Sequence, residues 1–345
     1  MDSLRAAALL KQQGHEVIAV HMRILPGSSA QDPVTNKKES VVKELARRLG
    51  IPLRIVNLQE SFEALVIQPF RHAYLEGLTP NPCVVCNRAV KFGILLEKAR
   101  KWGAQKLATG HYARLIPPNG NNPRYRLLRG KDLNKDQSYF LYGLSQVQLA
   151  QIILPLGNTT KQESYKWAEE NGFLSLIKEE SQEICFIPHR NYREFMASSG
   201  PSQTTNNVGL IVDTEGNVLG THKGIFNYTI GQRRGLGISS KVPYYVVALN
   251  PHTNTVIVGR SSDLFRSTFR VSTVNWVSID KPSEPIRALV RIRNQHQPAP
   301  ATLIPSHGDS VIVHFQTPQR AITPGQSAVF YQEDVVLGGG IIARD

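Results

Sequence analysis

The pattern of apolar residues changes once along this chain, and that change constrains the fold more than any other feature of the sequence. Up to about residue 175, helix-like and strand-like runs alternate: "SLRAAALLKQQG", "HEVIAVHM", "ESVVKELARRLG", "PLRIVNL", "ESFEALVIQPFRHAYLEG", "AVKFGILLEKARKWG" and "AQKLATGHYARL". Helix periodicity closed by Gly14, Gly50 and Gly103, alternating with short apolar strands, predicts a parallel sheet covered on both faces. From about residue 205 the helical pattern nearly vanishes. Short alternating segments separated by "DTEGN", "NPHTN" and "TPGQ" then predict hairpins in antiparallel sheets or a small barrel. The expected plan is an α/β chain with a doubly wound parallel-sheet domain over residues 1–188, a small mixed domain over 189–262 and a C-terminal β-barrel over 263–345.

A doubly wound domain places a strand before its first helix, yet here a helix begins at about residue 3, directly after "MDS". In nucleotide-binding domains of this kind the turn between first strand and first helix carries glycines and free N–H groups that hold phosphate. Taken alone, Asp2 reads as a helix cap.

Charge and cysteine usage narrow the function. The net charge is +13, with +8 over residues 1–187 and +5 over 188–345. Both halves are therefore basic, which suits a polyanion spanning domains better than a short basic tail would. No run of 18 apolar residues and no leader-like start are present, so the expectation is a cytoplasmic protein with no membrane partner. Three cysteines argue against a disulfide framework and for reduced thiols. Two of them, Cys83 and Cys86, form C-x-x-C in "TPNPCVVCNR"; that spacing alone is compatible with a redox pair or half of a metal site. A helix over 87–102 would put Cys86 at its N-terminus near Arg88 and Lys91, an environment that favours a thiolate. Cys185, between Ile184 and Phe186, reads on its own as a small buried hydrophobe.

Six ordered segments extend across nearly the whole length: "TPNPCVVCNRAVKFG", "LATGHYARL", "NKDQSYFLYGLS", "SQEICFIP", "YTIGQRRGLGI" and "RAITPGQSAVFY". Together they resemble the tRNA-specific 2-thiouridylases. The first motif of that family is S-G-G-V-D-S, the loop of N-type ATP pyrophosphatases, and Asp2-Ser3 match its final D-S with Met1 in place of valine. The expectation is a reading frame started inside the motif, at a GTG codon, with weakened ATP binding as its consequence.

The resemblance implies ATP-dependent adenylation of the C2 oxygen of the wobble uridine in tRNAs for Lys, Glu and Gln, followed by sulfur transfer from a cysteine persulfide. By motif match Cys185 is the persulfide carrier and Cys86 the nucleophile, the two closing a transient disulfide. The implied ATP contacts are Asp2, Ser3, Met22 and Gly110, with Mg²⁺ on the phosphates. The implied tRNA contacts are Asn81, His111, Lys135, Asp136, Gln137, Arg293, Asn294 and Gln326. Without the motifs, Met22 reads equally as a strand residue of the core, His111 as a turn histidine, and Arg233 and Arg234 as a solvated loop. Cys83 departs from the commoner pattern of the family, which more often has aspartate there. It leaves open a second route, an iron–sulfur cluster held by Cys83, Cys86 and Cys185, which related thiolation enzymes use. Persulfide would come from a cysteine desulfurase or a relay protein. Other ATP pyrophosphatases, such as argininosuccinate-synthase-like enzymes, need neither the cysteines nor a basic β domain. A tRNA-binding sulfur acceptor without ATP turnover is the non-enzymatic alternative.

Overall fold

The computed structural model describes residues 1–25, 32–120, 122–177, 184–187, 192–197 and 208–344. Helix α1 (Asp2–Gln12) leads to strand β1 (Ala19–Arg23), helix α2 (Pro33–Leu49) and strand β2 (Leu53–Asn57), with β1 and β2 parallel. The ends of α2 follow from sequence: Asp32 accepts from the Thr35 N–H at 2.8 Å, Pro33 supplies a pre-set φ, and Gly50 closes the helix at φ 65°. Helix α3 runs over 59–75, and it contains Pro69. Proline removes a donor and crowds the preceding turn, and the helix widens into a π turn over Glu63–Ile67 ahead of it.

Helix α4 runs over 82–101 and is followed by β3 (Leu107–Ala108), which pairs in parallel with β6 (Ile152–Ile153). The sequence suggests one strand through "AQKLATGHYARL". The structure splits it into β3 and β4 (Ala113–Ile116), with Thr109–Tyr112 as a turn between them. That break matters, because β4 leaves the parallel layer and forms a hairpin with β5 (Arg126–Arg129), which extends the C-terminal sheet. Helix α5 (Lys161–Glu170) carries a full capping box, Thr160 with Glu163, and packs beside α1. The short helix α6 spans Tyr192–Ala197.

The central sheet has the order β8-β7-β10-β9, from β7 (Val208–Val212), β8 (Val218–Lys223), β9 (Tyr245–Asn250) and β10 (Thr255–Gly259); β7 and β10 are parallel and the other pairs antiparallel. Its own small core gathers Ile211, Val246, Val256 and Val258. The C-terminal strands are β11 (Phe265–Trp276), β12 (Ile286–Arg291), β13 (Ala299–Pro305), β14 (Val311–Arg320), β15 (Ser327–Gln332) and β16 (Val335–Ile342). They close as a six-stranded barrel because β11 pairs with both β14 and β16. Where β16 passes beneath β11, glycine is required: a Cβ on Gly338 would lie 2.4 Å from the Asn275 carbonyl oxygen and one on Gly340 2.5 Å from that of Ser272.

The barrel and the N-terminal domain share backbone as well as side chains. β5 pairs with β16, Asn275 donates to the carbonyls of Tyr142 at 2.6 Å and Leu144 at 3.0 Å, and the largest core cluster runs from Phe62 and Phe70 to Tyr331 and Val336. Among the described residues no helix is long and apolar enough to cross a membrane.

Candidate functional site

Three surfaces of the fold converge around α4. Its start is fixed by "NP": Asn81 is the N-cap and Pro82 the first helical residue, and the Asn81 side chain makes no capping bond. The helix therefore begins several residues earlier than the sequence pattern suggests. Cys83 sits in its first turn and Cys86 in the second, so the helix N-terminus lies nearer Cys83 than Cys86. From Cys86 to Leu95 the helix winds as a π-helix. This winding frees carbonyls, and Gln148 satisfies two of them, donating to the carbonyl oxygens of Arg88 at 2.8 Å and Phe92 at 2.7 Å. The wider turn also places Lys91, five residues on, back toward the face that carries Cys86.

Cys86 is buried, 8% exposed, whereas Cys83 and Cys185 reach the surface. Cys185 is held by its neighbour rather than by its own side chain. Phe186 is buried and packs its ring at 5.7 Å from Phe62, 5.2 Å from Phe70 and 5.4 Å from Phe195, so the backbone of "ICF" is pinned against α3. Segments 178–183 and 188–191 lie outside the described residues. All three thiols are free.

Their electrostatics identify a shared centre. Burial pushes the Cys86 thiol up to about 11, the Lys91 ammonium opposes it, and Cys185 and Cys83 add to the rise. Burial likewise raises Cys83, with Cys185 adding and Lys91 opposing, and it raises Cys185, again with Lys91 opposing. The charge of one half-buried lysine thus acts on every thiol of the chain, and among the described residues it has no carboxylate partner. The thiolate-favouring helix terminus expected for Cys86 is not what the structure shows: the dipole fades beyond the first turn, and desolvation wins. Alkylation of Cys86 by iodoacetamide is accordingly expected to be slow near neutrality and to accelerate roughly tenfold per pH unit as the thiolate forms, with Lys91→Met moving the profile to higher pH. A midpoint at the ordinary free-thiol value of about 8.5 would contradict this. Among the described residues no three His, Cys, Asp or Glu side chains are grouped closely enough to hold a metal ion.

The second surface is the nucleotide end. Gly110, at the end of β3, abuts the start of α1: a Cβ there would lie 2.6 Å from the Asp2 carbonyl carbon and 2.8 Å from the Ser3 nitrogen. Only glycine permits this approach of backbone to backbone at the start of α1. Asp2 is the first helical residue rather than the cap. Its carboxylate accepts from the Tyr112 hydroxyl at 3.0 Å and the Lys161 ammonium at 2.7 Å. Ser3 is exposed, and Met22 lies half-buried on β1 against the main core. Gly110→Ala is expected to force Asp2 and Ser3 away, costing about 1–3 kcal/mol and abolishing the thermal shift on ATP addition; an unchanged melt would refute the close approach.

His111 follows directly. Its Nδ1 lies 2.7 Å from the Thr109 hydroxyl and its ring 5.9 Å from Phe92, and burial with the nearby Lys91 charge pulls its pKa well below the usual imidazole value. The imidazole is neutral at physiological pH, a hydrogen-bonding group rather than a cation.

The third surface joins "NKDQ" to the barrel. Asp136, expected to face RNA, is instead buried at 7% exposure, and its carboxylate accepts from the N–H groups of Gly130 at 3.2 Å and Ser138 at 3.0 Å, the Ser138 hydroxyl at 3.1 Å and the Arg291 guanidinium at 3.0 Å. Arg291 also donates to the Asn294 carbonyl. Arg293 and Asn294 are exposed, and Arg293 donates to the Arg320 carbonyl at 3.1 Å. Gln137 exchanges hydrogen bonds with the backbone of Tyr112, at 3.1 Å through its side chain and 2.9 Å through its own N–H. Lys135 is half-buried on the same segment. Gln326 faces inward too, donating to the Thr79 carbonyl at 2.9 Å while the Thr79 N–H donates to Pro324 at 2.9 Å. The barrel loop therefore fixes the loop that precedes Cys83. Arg233 and Arg234 are exposed on the central domain.

Three residues of this site carry no motif signal of their own: Lys161, Arg291 and Gln148. Lys161 opens the helix after a "TTKQE" capping box, and Arg291 stands two residues before Arg293, but their partners are remote in sequence.

Comparison with known proteins agrees with the architecture. Residues 1–189 match the family described as tRNA methyl transferase HUP domain, 194–260 its PRC-barrel domain, and 266–342 the aminomethyltransferase beta-barrel domain. A protein of Halothermothrix orenii named tRNA-specific 2-thiouridylase MnmA is 45% identical over 351 residues, covering 100% of this chain and 97% of the relative. A Caldanaerobacter subterraneus protein named tRNA-specific 2-thiouridylase MnmA 1 is 47% identical over 350 residues, covering 100% of this chain and 95% of the relative. The Acetivibrio thermocellus protein of the first name is 42% identical over 348 residues, covering 99% and 96%.

Proposed function

The chain belongs to the tRNA-specific 2-thiouridylase family, and from that premise we propose that it converts the wobble uridine of tRNAs for Lys, Glu and Gln to 2-thiouridine, using ATP to adenylate the C2 oxygen and a persulfide on Cys185 as sulfur source. The observation that supports this reading is that the helix carrying Cys86 also carries Phe92, whose ring lies 5.9 Å from that of His111, on the turn that leads to the close approach of Gly110 to Asp2.

The Gly110 cradle and the Asp2–Lys161 pair would hold ATP phosphates, with Mg²⁺ neutralising them. ATP supplies the activation that turns O2 of the uridine into a leaving group. The residues of the chain do the rest. Extruding a loop base exposes its C2, and the side chain of Asn81, which makes no capping bond, and the neutral ring of His111 offer hydrogen bonds to its edge. The Cys86 thiolate attacks the Cys185-bound sulfur of the persulfide. A Cys86–Cys185 bond forms, the persulfide S–S bond breaks, and the terminal sulfur leaves as hydrosulfide, which replaces the activated oxygen at C2 and releases AMP. Lys91 favours the thiolate before attack and the anionic sulfur afterwards. Lys135, Arg293, Asn294, Arg233 and Arg234 supply donors for phosphates over the two domains, consistent with the net charge of +13. Asp136 and Gln326 serve RNA binding by holding their loops.

Incubation with tRNA, ATP, Mg²⁺ and a persulfide donor should give tRNA retarded on a mercury-containing gel. Tight tRNA binding and persulfide uptake with no retarded tRNA would leave the sulfur-acceptor reading instead.

A further inference from the structure

Within the thiolation reading, Cys83 has no task, although it is exposed where its helix neighbour Cys86 is buried. We propose that Cys83 is a resolving thiol: it takes over the disulfide left on Cys86 and returns Cys185 to the free state, ready for the next persulfide. This inference rests on the thiolation reading for the origin of the disulfide and on the geometry of α4 for its fate.

Three observations carry it. Cys83 and Cys86 are separated by one helical turn in the first part of α4, where residues three apart have Cα atoms about 5 Å apart, inside the range that a disulfide spans. Cys83 is exposed and Cys86 buried, so a bond between them keeps one sulfur open to a reductant and the other shielded. Lys91 faces all three sulfurs, so the thiolate that attacks and the thiolate that leaves experience the same cation.

The step balances without an oxidant. The Cys83 thiolate attacks Sγ of Cys86, the Cys83–Cys86 bond forms, the Cys86–Cys185 bond breaks, and Cys185 departs as thiolate. No net oxidation occurs. The two electrons that later clear Cys83–Cys86 come from an external dithiol reductant attacking the exposed sulfur of Cys83. The C-x-x-C spacing is thus a property of the reset and not of sulfur delivery.

The test combines a disulfide map with turnover. Full-length protein is taken through one sulfur-transfer cycle without reductant, quenched with iodoacetamide and digested for mass spectrometry, beside a sample oxidised with one equivalent of diamide. The expected result in both is a Cys83–Cys86 disulfide with Cys185 alkylated. In Cys83→Ser the expected disulfide is Cys86–Cys185, with the first turnover unchanged and repeated turnover at limiting dithiol reduced at least about tenfold. Wild-type protein that retains Cys86–Cys185 with Cys83 alkylated would overturn the proposal, as would undiminished repeated turnover in Cys83→Ser or iron ligated by Cys83. Diamide producing Cys83–Cys86 in protein that makes no 2-thiouridine would sink the thiolation reading and leave the resolving pair standing.

Discussion

Replacing Cys86 with serine is expected to abolish 2-thiouridine formation, by a factor above about 10³, while ATP-dependent pyrophosphate release in the presence of tRNA persists. The asymmetry follows from the two surfaces of the site. In the proposed reaction adenylation would depend on the Gly110–Asp2 end of the site and on the bound base, and not on the Cys86 sulfur. Sulfur release depends on a thiolate that can form a bond to sulfur, and a serine hydroxyl, ionising far above any accessible pH, cannot. Cys185→Ser should lose thiolation equally but should also fail to acquire label from a persulfide donor, which Cys86→Ser still does. Simultaneous loss of pyrophosphate release in Cys86→Ser would mean that Cys86 supports the adenylation geometry instead.

The largest effect on stability is expected at Asp136. Its carboxylate joins two backbone N–H groups, a hydroxyl and the Arg291 guanidinium, and the paired side chains of Arg291 and Asp136 are 12% and 2% exposed. Asp136→Ala leaves a largely buried arginine uncompensated and orphans the two N–H donors, a change that costs about 3–5 kcal/mol. Against a total stability of about 5–15 kcal/mol, that should lower the melting temperature by many degrees. Because "NKDQ" and "RIRN" meet through this pair, tRNA affinity should fall as well. Asp136→Asn keeps an acceptor and should cost markedly less. A melt of Asp136→Ala within about 1 °C of wild type would show that the carboxylate contributes through RNA contact and not through the fold.

What the sequence disclosed and what it withheld have physical reasons. Local periodicity marked the body of α2 and its end at Gly50, but not its first turn, which starts at Pro33, six residues before the run "ESVVKELARRLG". It also marked the change to β structure, because strand alternation and turn residues are local signals. It did not mark the break after Ala108. "LATGHYARL" is apolar enough for one strand, and only the need of β4 to pair with β5 in the other sheet divides it. Likewise, the π winding of α4 is supported by Gln148, which reaches the Arg88 carbonyl from sixty residues away. The thiols were legible as residues. Lys91 was legible beside Cys86, but not its influence on Cys83 and Cys185, nor the burial, which no spacing reports, that decides how readily each ionises. Asp136 and Gln326 show the same limit in another form: a motif names the position, while the direction of the side chain depends on Arg291 in one case and Thr79 in the other.

The central claim is that sulfur carried by Cys185 reaches the wobble uridine through attack by Cys86. The most direct measurement is a single turnover in which the protein, loaded with ³⁵S-persulfide and freed of donor, is mixed with ATP, Mg²⁺ and tRNA for Lys, Glu or Gln, and the tRNA is then digested to nucleosides. The account predicts label in 2-thiouridine at up to one equivalent per loaded chain, with loading abolished by Cys185→Ser and transfer abolished by Cys86→Ser. Label that stays on the protein in the wild type, or reaches the tRNA undiminished from Cys86→Ser, would contradict it.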